Sequence, residues 1–226
     1  MIGTNNPSLE ALWNEIYEIN KLNFPDNELM PIFGGGQSFR PKFMFVFINP
    51  NFRNISSSKD WEGPRFPFVG TKNIWRTFSK AEMFESKLLD EIHDSKKWSV
   101  DLANRVLSFL RDNNLYFTNI VKWTCHDASL PDSKKIELFL PILKKEISII
   151  RPEYVVAFGS IPFEHLTGSK IKLSEYYETA IKNNNVSYIE VYINNFKTKV
   201  IPCYFPIGRG DPKKTVDILK LLKNLQ

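Results

Sequence analysis

The sequence predicts a single three-layer α/β/α domain, in which helices cover a central, largely parallel sheet of four strands with a hairpin strand added at one edge. Two observations support this fold class. Short apolar runs rich in strand-forming residues alternate with segments whose apolar residues recur at helical spacing. The 226 residues are also enough to bury a substantial core, and no repeat or linker divides them. One domain over residues 1–226 is therefore expected.

The central strand is predicted at residues 43–48, an unbroken apolar run that is too short for a long helix. A strand buried on both faces has this composition. Asn49-Pro50-Asn51 ends the run, because proline cannot donate a hydrogen bond to a neighbouring strand. Ligands of open α/β sheets bind at the carboxyl ends of the strands. Asn49 is therefore the leading candidate for a chemical role.

The other elements continue the alternation along the chain. Helices with one apolar face are predicted at residues 6–20, 71–78, 99–112, 132–150 and 211–222, with a short helix at 162–166. Further strands are predicted at residues 115–121, 153–158, 187–193 and 197–201, the last two forming a hairpin. Prolines and the triplet Gly34-Gly35-Gly36 place residues 23–37 in a loop.

The helix starts have candidate capping residues, and the strand ends have candidate functional residues. The predicted first residues or caps are Asn6-Pro7-Ser8, Thr71 or Asn73, Ser99, Pro131-Asp132-Ser133 and Asp211-Pro212. Polar residues at or just past strand ends are Asn49, Asn119, Ser160 and Arg209. Residues 52–69 form a long polar segment after the first strand, and such a segment in a compact domain usually carries function.

The composition permits a nucleic-acid partner and offers little for metal binding. A net charge of +5 and a pI near 9.0 allow a polyanionic partner without demonstrating one. Cys125 and Cys203 are too few for a four-thiolate site and share no spacing motif, so buried free thiols are expected. The chain has neither a secretory signal nor an apolar run of membrane length, which indicates an intracellular protein without a membrane partner.

Several stretches, taken together, resemble the uracil-DNA glycosylase superfamily, in particular its family 4 and mismatch-specific branches. Phe47-Ile48-Asn49-Pro50-Asn51 is similar to the first motif of the superfamily, and Pro67-Phe68-Val69-Gly70 is similar to the family 4 segment that stacks on the base. Residues 116–122 resemble the second-strand motif, and residues 140–159 resemble the following helix–strand unit. The resemblance covers residues 34–214 approximately, and it rests on the order and spacing of these motifs.

The resemblance implies roles for four residues around an extruded base. Asn49 would position the water that attacks the sugar, Phe68 would stack on the flipped ring, and Asn119 would read the edge of the base. Asn51 would contact the pocket or only complete the turn. Structural alternatives remain open for the other three: Asn49 could cap a loop, Asn119 could make a buried structural hydrogen bond, and Phe68 could belong to the core.

The sequence departs from the family pattern in two places. The second motif normally contains a histidine followed by proline, and here Phe205 stands in the position of that histidine. Phenylalanine has no donor, so stabilisation of the leaving base would fall to Tyr204, Arg209 or backbone groups. The family 4 iron–sulfur cluster requires four cysteines, and the chain has two. A protein without a cofactor or metal is therefore expected.

Three basic residues follow the last strand and are candidates for contacts with DNA phosphates, namely Arg209, Lys213 and Lys214. A solvated basic face is the alternative.

The resulting hypothesis is a monofunctional DNA glycosylase of base excision repair, monomeric and cytoplasmic, that removes a deaminated base from DNA, with uracil favoured.

Two other classes were weighed against that hypothesis. The first is a DNA-lesion or nucleic-acid binding module that has kept the fold and lost the chemistry, which the missing histidine and the lack of an aspartate in the first motif favour. The second is an unrelated enzyme that binds a nucleotide cofactor. It would need a glycine fingerprint after the first strand, and Asn49-Pro50-Asn51-Phe52 does not provide one.

Overall fold

The computed structural model describes residues 8–127, 129–208 and 210–225. The helices formed by these residues are α1 (Leu9–Asn23), α2 (Asn73–Lys80), α3 (Ser86–Asp94), α4 (Val100–Asp112), α5 (Ser133–Ile150), α6 (Ser160–Thr167), α7 (Leu173–Asn183) and α8 (Pro212–Leu221). The strands are β1 (Gly35–Gly36), β2 (Phe43–Phe47), β3 (Leu115–Asn119), β4 (Tyr154–Phe158), β5 (Ile189–Ile193) and β6 (Phe196–Cys203). Short 3₁₀ turns lie at Ile55–Ser57 and Leu222–Asn224.

The strands form one sheet in the order β1-β3-β2-β4-β6-β5. The four central strands, β3, β2, β4 and β6, are parallel, whereas β1 and β5 are antiparallel edge strands. This arrangement confirms the predicted parallel sheet of four strands with a hairpin strand at one edge. The carboxyl ends of the four central strands therefore meet at one edge of the domain.

Side chains alternate across the sheet and build a core on each face. Phe45 and Phe47 pack on one side with residues of α2, α3, α4, α7 and α8, while Met44 and Val46 pack on the other side with α1, α5 and α6. Every residue of β2 is buried, as expected of a strand with helices on both faces. The predicted three layers are thus confirmed.

The edge strand β1 is a correction, because the triplet Gly34-Gly35-Gly36 was assigned to a loop. Gly35 and Gly36 pair with Phe117 and Tyr116 of β3. A Cβ atom on Gly36 would lie 2.1 Å from the carbonyl oxygen of Leu115, and the φ angle of Gly36 is +123°. Glycine is required for this close pairing, and a general rule that glycine breaks strands does not anticipate it.

Four of the predicted helix starts are confirmed by side-chain caps. The caps Ser8, Ser99, Asp132 and Asp211 accept hydrogen bonds from the backbone N–H groups of Ala11, Leu102, Lys135 and Lys214. Asn6 and Pro7, which belong to the first predicted start, lie outside the described residues. The prediction for α2 was wrong, because neither Thr71 nor Asn73 caps this helix: its N-cap is Lys72, which makes no side-chain cap bond.

Two helices were not predicted, α3 and α7. Each has few buried residues, only Leu88 and Ile92 in α3 and Ala180 in α7, and neither begins with a side-chain cap, so both lack the start signal that marks four of the predicted helices. The predicted hairpin between β5 and β6 is present, and its turn residues Asn194 and Asn195 both have positive φ angles, of 47° and 65°. Two such residues are typical of a type I′ turn. None of the described helices has the length and apolar content needed to cross a bilayer.

Candidate active site

A cavity of about 110 Å³ lies where the central strands end. Its wall is formed by the segment after β2, by residues that precede α2, by the last residue of β3 and by the segment after β6. The lining residues include Asn49, Asn51, Phe68, Asn119 and Phe205. The structure thus brings together four residues predicted for the base pocket and the phenylalanine that stands in place of the expected histidine.

Asn119 is the last residue of β3 and is 1% exposed. Its Nδ2 atom is buried and has no hydrogen-bond partner among the described residues. A buried amide nitrogen without a partner costs about 1–3 kcal/mol, which makes such atoms rare. The alternative of a structural hydrogen bond therefore finds no support at this atom. The unpaired donor belongs to a side chain that lines the cavity.

The side chain of Asn49 is held in place by the contacts of its amide nitrogen. Nδ2 donates to the carbonyl oxygens of Pro50 at 3.3 Å and Ser129 at 3.4 Å, and it lies 3.2 Å from Sγ of Cys125. The two carbonyl acceptors determine which end of the amide is the nitrogen. In the described part of the chain, no donor contacts Oδ1 of Asn49. This oxygen is available to accept a hydrogen bond from water.

Cys125 anchors the segment that carries Asn49. Its backbone N–H donates to Pro50 at 3.1 Å, its carbonyl accepts from the N–H of Phe52 at 2.9 Å, and its thiol contacts the carbonyl of Asp127 at 2.8 Å. Burial raises the pKa of the Cys125 thiol, so the group stays neutral and can donate to a carbonyl. Both cysteines are free and buried, which confirms that expectation.

Asn51 both lines the cavity and completes the turn. Its Oδ1 accepts a hydrogen bond of 3.0 Å from the backbone N–H of Arg53, a geometry typical of an Asx turn. The capping role that was the alternative for Asn49 is therefore performed by Asn51 two residues later.

Phe68 has an unusual backbone. Its φ angle is +70°, which costs a residue other than glycine about 1–3 kcal/mol. The carbonyl of Phe68 is held by Thr71, whose N–H and Oγ1 lie at 3.1 and 2.9 Å, and by Nε1 of Trp75 at 3.3 Å. The ring meets Phe47 edge to face, with centroids 4.6 Å apart. Phe66 is a core residue, whereas Phe68 is half-buried at the cavity wall.

The polar segment 52–69 is ordered by two side chains that the sequence analysis did not single out. Asn54 accepts hydrogen bonds from the N–H and Oγ of Ser56 and donates to the carbonyl of Phe66 at 2.9 Å. The guanidinium of Arg65 donates to backbone carbonyls, among them those of Ser58 at 2.8 Å and Trp61 at 3.0 Å. These bonds fix the position of Phe68 relative to Asn51.

The segment after β6 places Phe205 and Tyr204 in different surroundings. Phe205 lines the cavity, with its ring centroid 6.5 Å from that of Phe47. Tyr204 is not among the cavity-lining residues; its ring lies 6.1 Å from Tyr177, and Nζ of Lys214 lies 5.0 Å from the ring centroid. The catalytic role predicted for Tyr204 therefore gains no support from its position.

The three predicted phosphate contacts differ in their surroundings. Arg209 lies outside the described residues. Lys214 forms an ion pair of 3.7 Å with Asp211 and also lies over the ring of Tyr177. Lys213 is exposed and lines a separate groove next to the cavity. Arg53, which the sequence analysis did not name, is exposed at the rim of the cavity, with Cζ 5.7 Å from the ring centroid of Phe52.

A buried ionic network lies directly behind the site and was also not predicted. Nζ of Lys122 lies 2.6 Å from Oε2 of Glu146 and also contacts Oγ1 of Thr118, while the hydroxyl of Tyr116 donates to Oε1 of Glu146 at 2.9 Å. Burial lowers the pKa of Lys122 and raises that of Tyr116. A lysine at the end of an apolar run and a glutamate on an apolar helix face are the sequence signals that could have revealed it.

No group of three or more His, Cys, Asp or Glu side chains in the described parts of the chain could hold a metal ion. The cavity is lined instead by amides and aromatic rings, together with Arg53 at its rim. This set of side chains can pair with the edge of a planar polar ring and stack on its face, and it can orient a water molecule.

Comparison with known families agrees with this geometry. The family model of the uracil DNA glycosylase superfamily matches residues 33–224 of the 226-residue chain. The chain therefore belongs to the uracil DNA glycosylase superfamily, as the motifs predicted. No curated protein gives a significant match to the chain. Membership of this superfamily points to DNA glycosylase activity and to DNA as the partner.

Proposed function

We propose that this protein is a monomeric, monofunctional DNA glycosylase that removes a deaminated base, with uracil favoured, and leaves an abasic site. The observation that supports the proposal is the buried Nδ2 of Asn119, which has no hydrogen-bond partner among the described residues and belongs to a side chain that lines a cavity together with Phe68 and Asn49. In the reaction, a water oxygen forms a bond to the anomeric carbon as the bond from that carbon to the base nitrogen breaks. The base takes the electron pair and then a proton.

Asn119 recognises the edge of the base through hydrogen bonds. A side-chain amide has both donors and an acceptor, and a uracil edge presents a carbonyl acceptor next to an N–H donor. A uracil carbonyl would satisfy the Nδ2 donor that has no partner among the described residues. The cavity of about 110 Å³ is far smaller than the roughly 300–1,000 Å³ of pockets for drug-sized ligands. This size favours a single-ring base over a purine.

Phe68 provides the ring on which the extruded base stacks. An aromatic ring against a base is worth about 1–3 kcal/mol, and this contact helps to offset the cost of extruding the base from the duplex. The strained backbone of Phe68 is held by contacts to its own carbonyl, so the ring is positioned before the base arrives.

Asn49 positions the water that attacks the sugar. The three contacts of Nδ2 orient the amide so that Oδ1 can accept a hydrogen bond from water. An amide is a poor base, so its contribution is alignment of the water rather than removal of a proton. Leaving-group stabilisation would come from backbone N–H groups and from the cations Arg53 and Arg209. The apolar ring of Phe205 lines the cavity and would limit the access of water to the bound base.

The second candidate function is a DNA-lesion binding module. It is favoured by one observation, that Phe205 lines the cavity and offers no hydrogen-bond donor to a departing base. Such a module would hold an extruded base with Asn119 and Phe68 but would not cleave the glycosidic bond.

The deciding experiment incubates the protein with single-stranded and duplex oligonucleotides that contain uracil or hypoxanthine, followed by alkaline cleavage of abasic sites. We expect strand breaks at uracil, a loss of about 100-fold in rate for Asn49→Ala, and no change for the matched exposed variant Asn183→Ala. Tight DNA binding without breaks at any lesion would support the binding module instead. Full activity of Asn49→Ala would contradict the assignment of the water to Asn49.

A further inference from the structure

A second concave surface adjoins the base cavity. It is a groove of about 460 Å³ between α2 and α8, and Ile207 lines both the groove and the cavity. The segment after β6 is attached to α2 by a hydrogen bond of 3.2 Å from Oγ1 of Thr77 to the carbonyl of Pro206. The groove therefore begins at the mouth of the cavity and is rigidly connected to it.

The groove between α2 and α8 carries a net positive charge, and its cations are largely without ion pairs in the described part of the chain. Arg76, Lys80 and Lys213 line it, and all three are exposed. Within the described residues, Lys80 and Lys213 have no ion pair, and the nearest polar contact of Arg76 is Nε2 of His93 at 3.5 Å. Among the residues that the structure describes, the lining also contains one acidic side chain, Asp217, which accepts a hydrogen bond of 2.8 Å from the neutral hydroxyl of Tyr177, so three cations and one carboxylate line the groove.

Another basic groove lies at the opposite end of the sheet. It is lined by Lys197 and Lys199, which pair with Glu190 at 2.9 Å and Glu153 at 3.9 Å, and also by Arg40 and Arg151. Positive charge therefore occurs at both ends of the sheet, and position distinguishes the two grooves: the one between α2 and α8 shares a lining residue, Ile207, with the cavity, whereas the other shares none of its described lining residues.

We propose that the α2–α8 groove binds the sugar–phosphate backbone of the DNA strand that presents the base to the cavity, with Arg76 and Lys80 as phosphate contacts. The proposal rests on the proposed function, because it takes the cavity as the base pocket. Arg76 and Lys80 are one helical turn apart, so their Cβ atoms lie about 5–6 Å from each other on one face of α2. Two neighbouring phosphates of one strand can therefore be contacted together. Lys213 joins them from the other wall.

The test compares the double variant Arg76→Ala/Lys80→Ala with the charge-matched variant Arg111→Ala/Lys197→Ala, whose exposed residues lie near the amino ends of β3 and β6. Fluorescence anisotropy measures binding to an undamaged duplex and to a duplex with an abasic site over a range of salt concentrations. Each phosphate contact contributes about 0.9 to the slope of log affinity against log salt. We expect the groove variant to lose about two units of slope, and the control to keep the slope of the parent protein.

The outcomes separate this proposal from the proposed function. Equal affinity and equal slope for the two double variants would contradict the proposal that the α2–α8 groove binds DNA, even if uracil is released normally. Salt-sensitive binding that depends on Arg76 and Lys80, without release of any base, would support the α2–α8 groove as a DNA-binding surface and would contradict the glycosylase assignment. Circular dichroism and thermal unfolding of each variant show that the fold is intact, which is expected because all four residues are exposed.

Discussion

Asn119 and Lys122 lie three residues apart where β3 ends, and both are buried, yet their polar atoms have opposite surroundings. Nζ of Lys122 is bound by Glu146 and Thr118, and the second carboxylate oxygen of Glu146 is bound by Tyr116. Nδ2 of Asn119 has no partner among the described residues. Within the described residues, the same strand end therefore contains one polar group that is bound by other side chains and one that is unpaired.

The comparison separates a structural role from a binding role. A buried ion pair joins the segment after β3 to α5, and both of its charged groups are already bound by other side chains, as is typical of a structural role. An unpaired amide destabilises the folded protein by about 1–3 kcal/mol unless a ligand supplies the missing partner. We infer that a bound base supplies the missing hydrogen-bond partner and so regains this energy. Substitution of Asn119 should therefore affect base release, whereas substitution of Lys122 should affect stability.

The largest expected effect is on stability, at Lys122. Lys122→Met leaves the carboxylate of Glu146 buried without its cation, so the free energy of unfolding should fall by about 3–5 kcal/mol. Urea denaturation followed by circular dichroism measures this change. The matched control is Lys134→Met on the exposed face of α5, which should change stability by less than about 0.5 kcal/mol. A small loss at Lys122 would show that the ion pair is not structural.

The next effect is on base release, at Asn119. Asn119→Ala removes the donor and acceptor that pair with the base, so the rate of uracil release should fall about 10–100-fold. The free energy of unfolding should change by less than about 1 kcal/mol, because removal of an Nδ2 that has no partner among the described residues relieves its cost of burial, while the cavity left by the shorter side chain offsets that gain. Rate assays and urea denaturation of the same variant test both halves. A large loss of stability would assign Asn119 to the structural class with Lys122.

The smallest effect separates two substitutions at Phe68. Both Phe68→Ala and Phe68→Gly remove the stacking surface, so both should weaken binding of the extruded base by about 1–3 kcal/mol. Glycine accepts a φ angle of +70° more readily than alanine, so Phe68→Gly should be about 1 kcal/mol more stable than Phe68→Ala. Thermal unfolding measures this difference. Equal stability of the two variants would indicate that the backbone strain at Phe68 is relieved elsewhere.

Much of the fold and part of the site were predictable from the sequence. The apolar runs that form β2, β3 and β4 are too short for long helices and end at polar residues, so their identity as buried strands follows from composition and length. Their parallel order brings the strand ends together. The cavity accordingly contains Asn49, Phe68 and Asn119, all three of which the sequence predicts for the base pocket.

Other features depended on contacts between residues far apart in the chain. Phe205 rather than Tyr204 lines the cavity, and Lys213 rather than Lys214 lines the groove. Neighbouring residues have similar local propensities, and which of them faces a cavity depends on how β6 and α8 are oriented by packing against the rest of the domain.

The sequence by itself determined the alternation of strands and helices and the order of the family motifs, because these depend on residues close together in the chain. Tertiary structure decided the pairing of Lys122 with Glu146, the lack of a partner for Nδ2 of Asn119 among the described residues, and the position of Arg76 and Lys213 in one groove. The physical reason is that the hydrogen bonds and free charges of a buried or concave surface depend on which distant groups packing brings within reach.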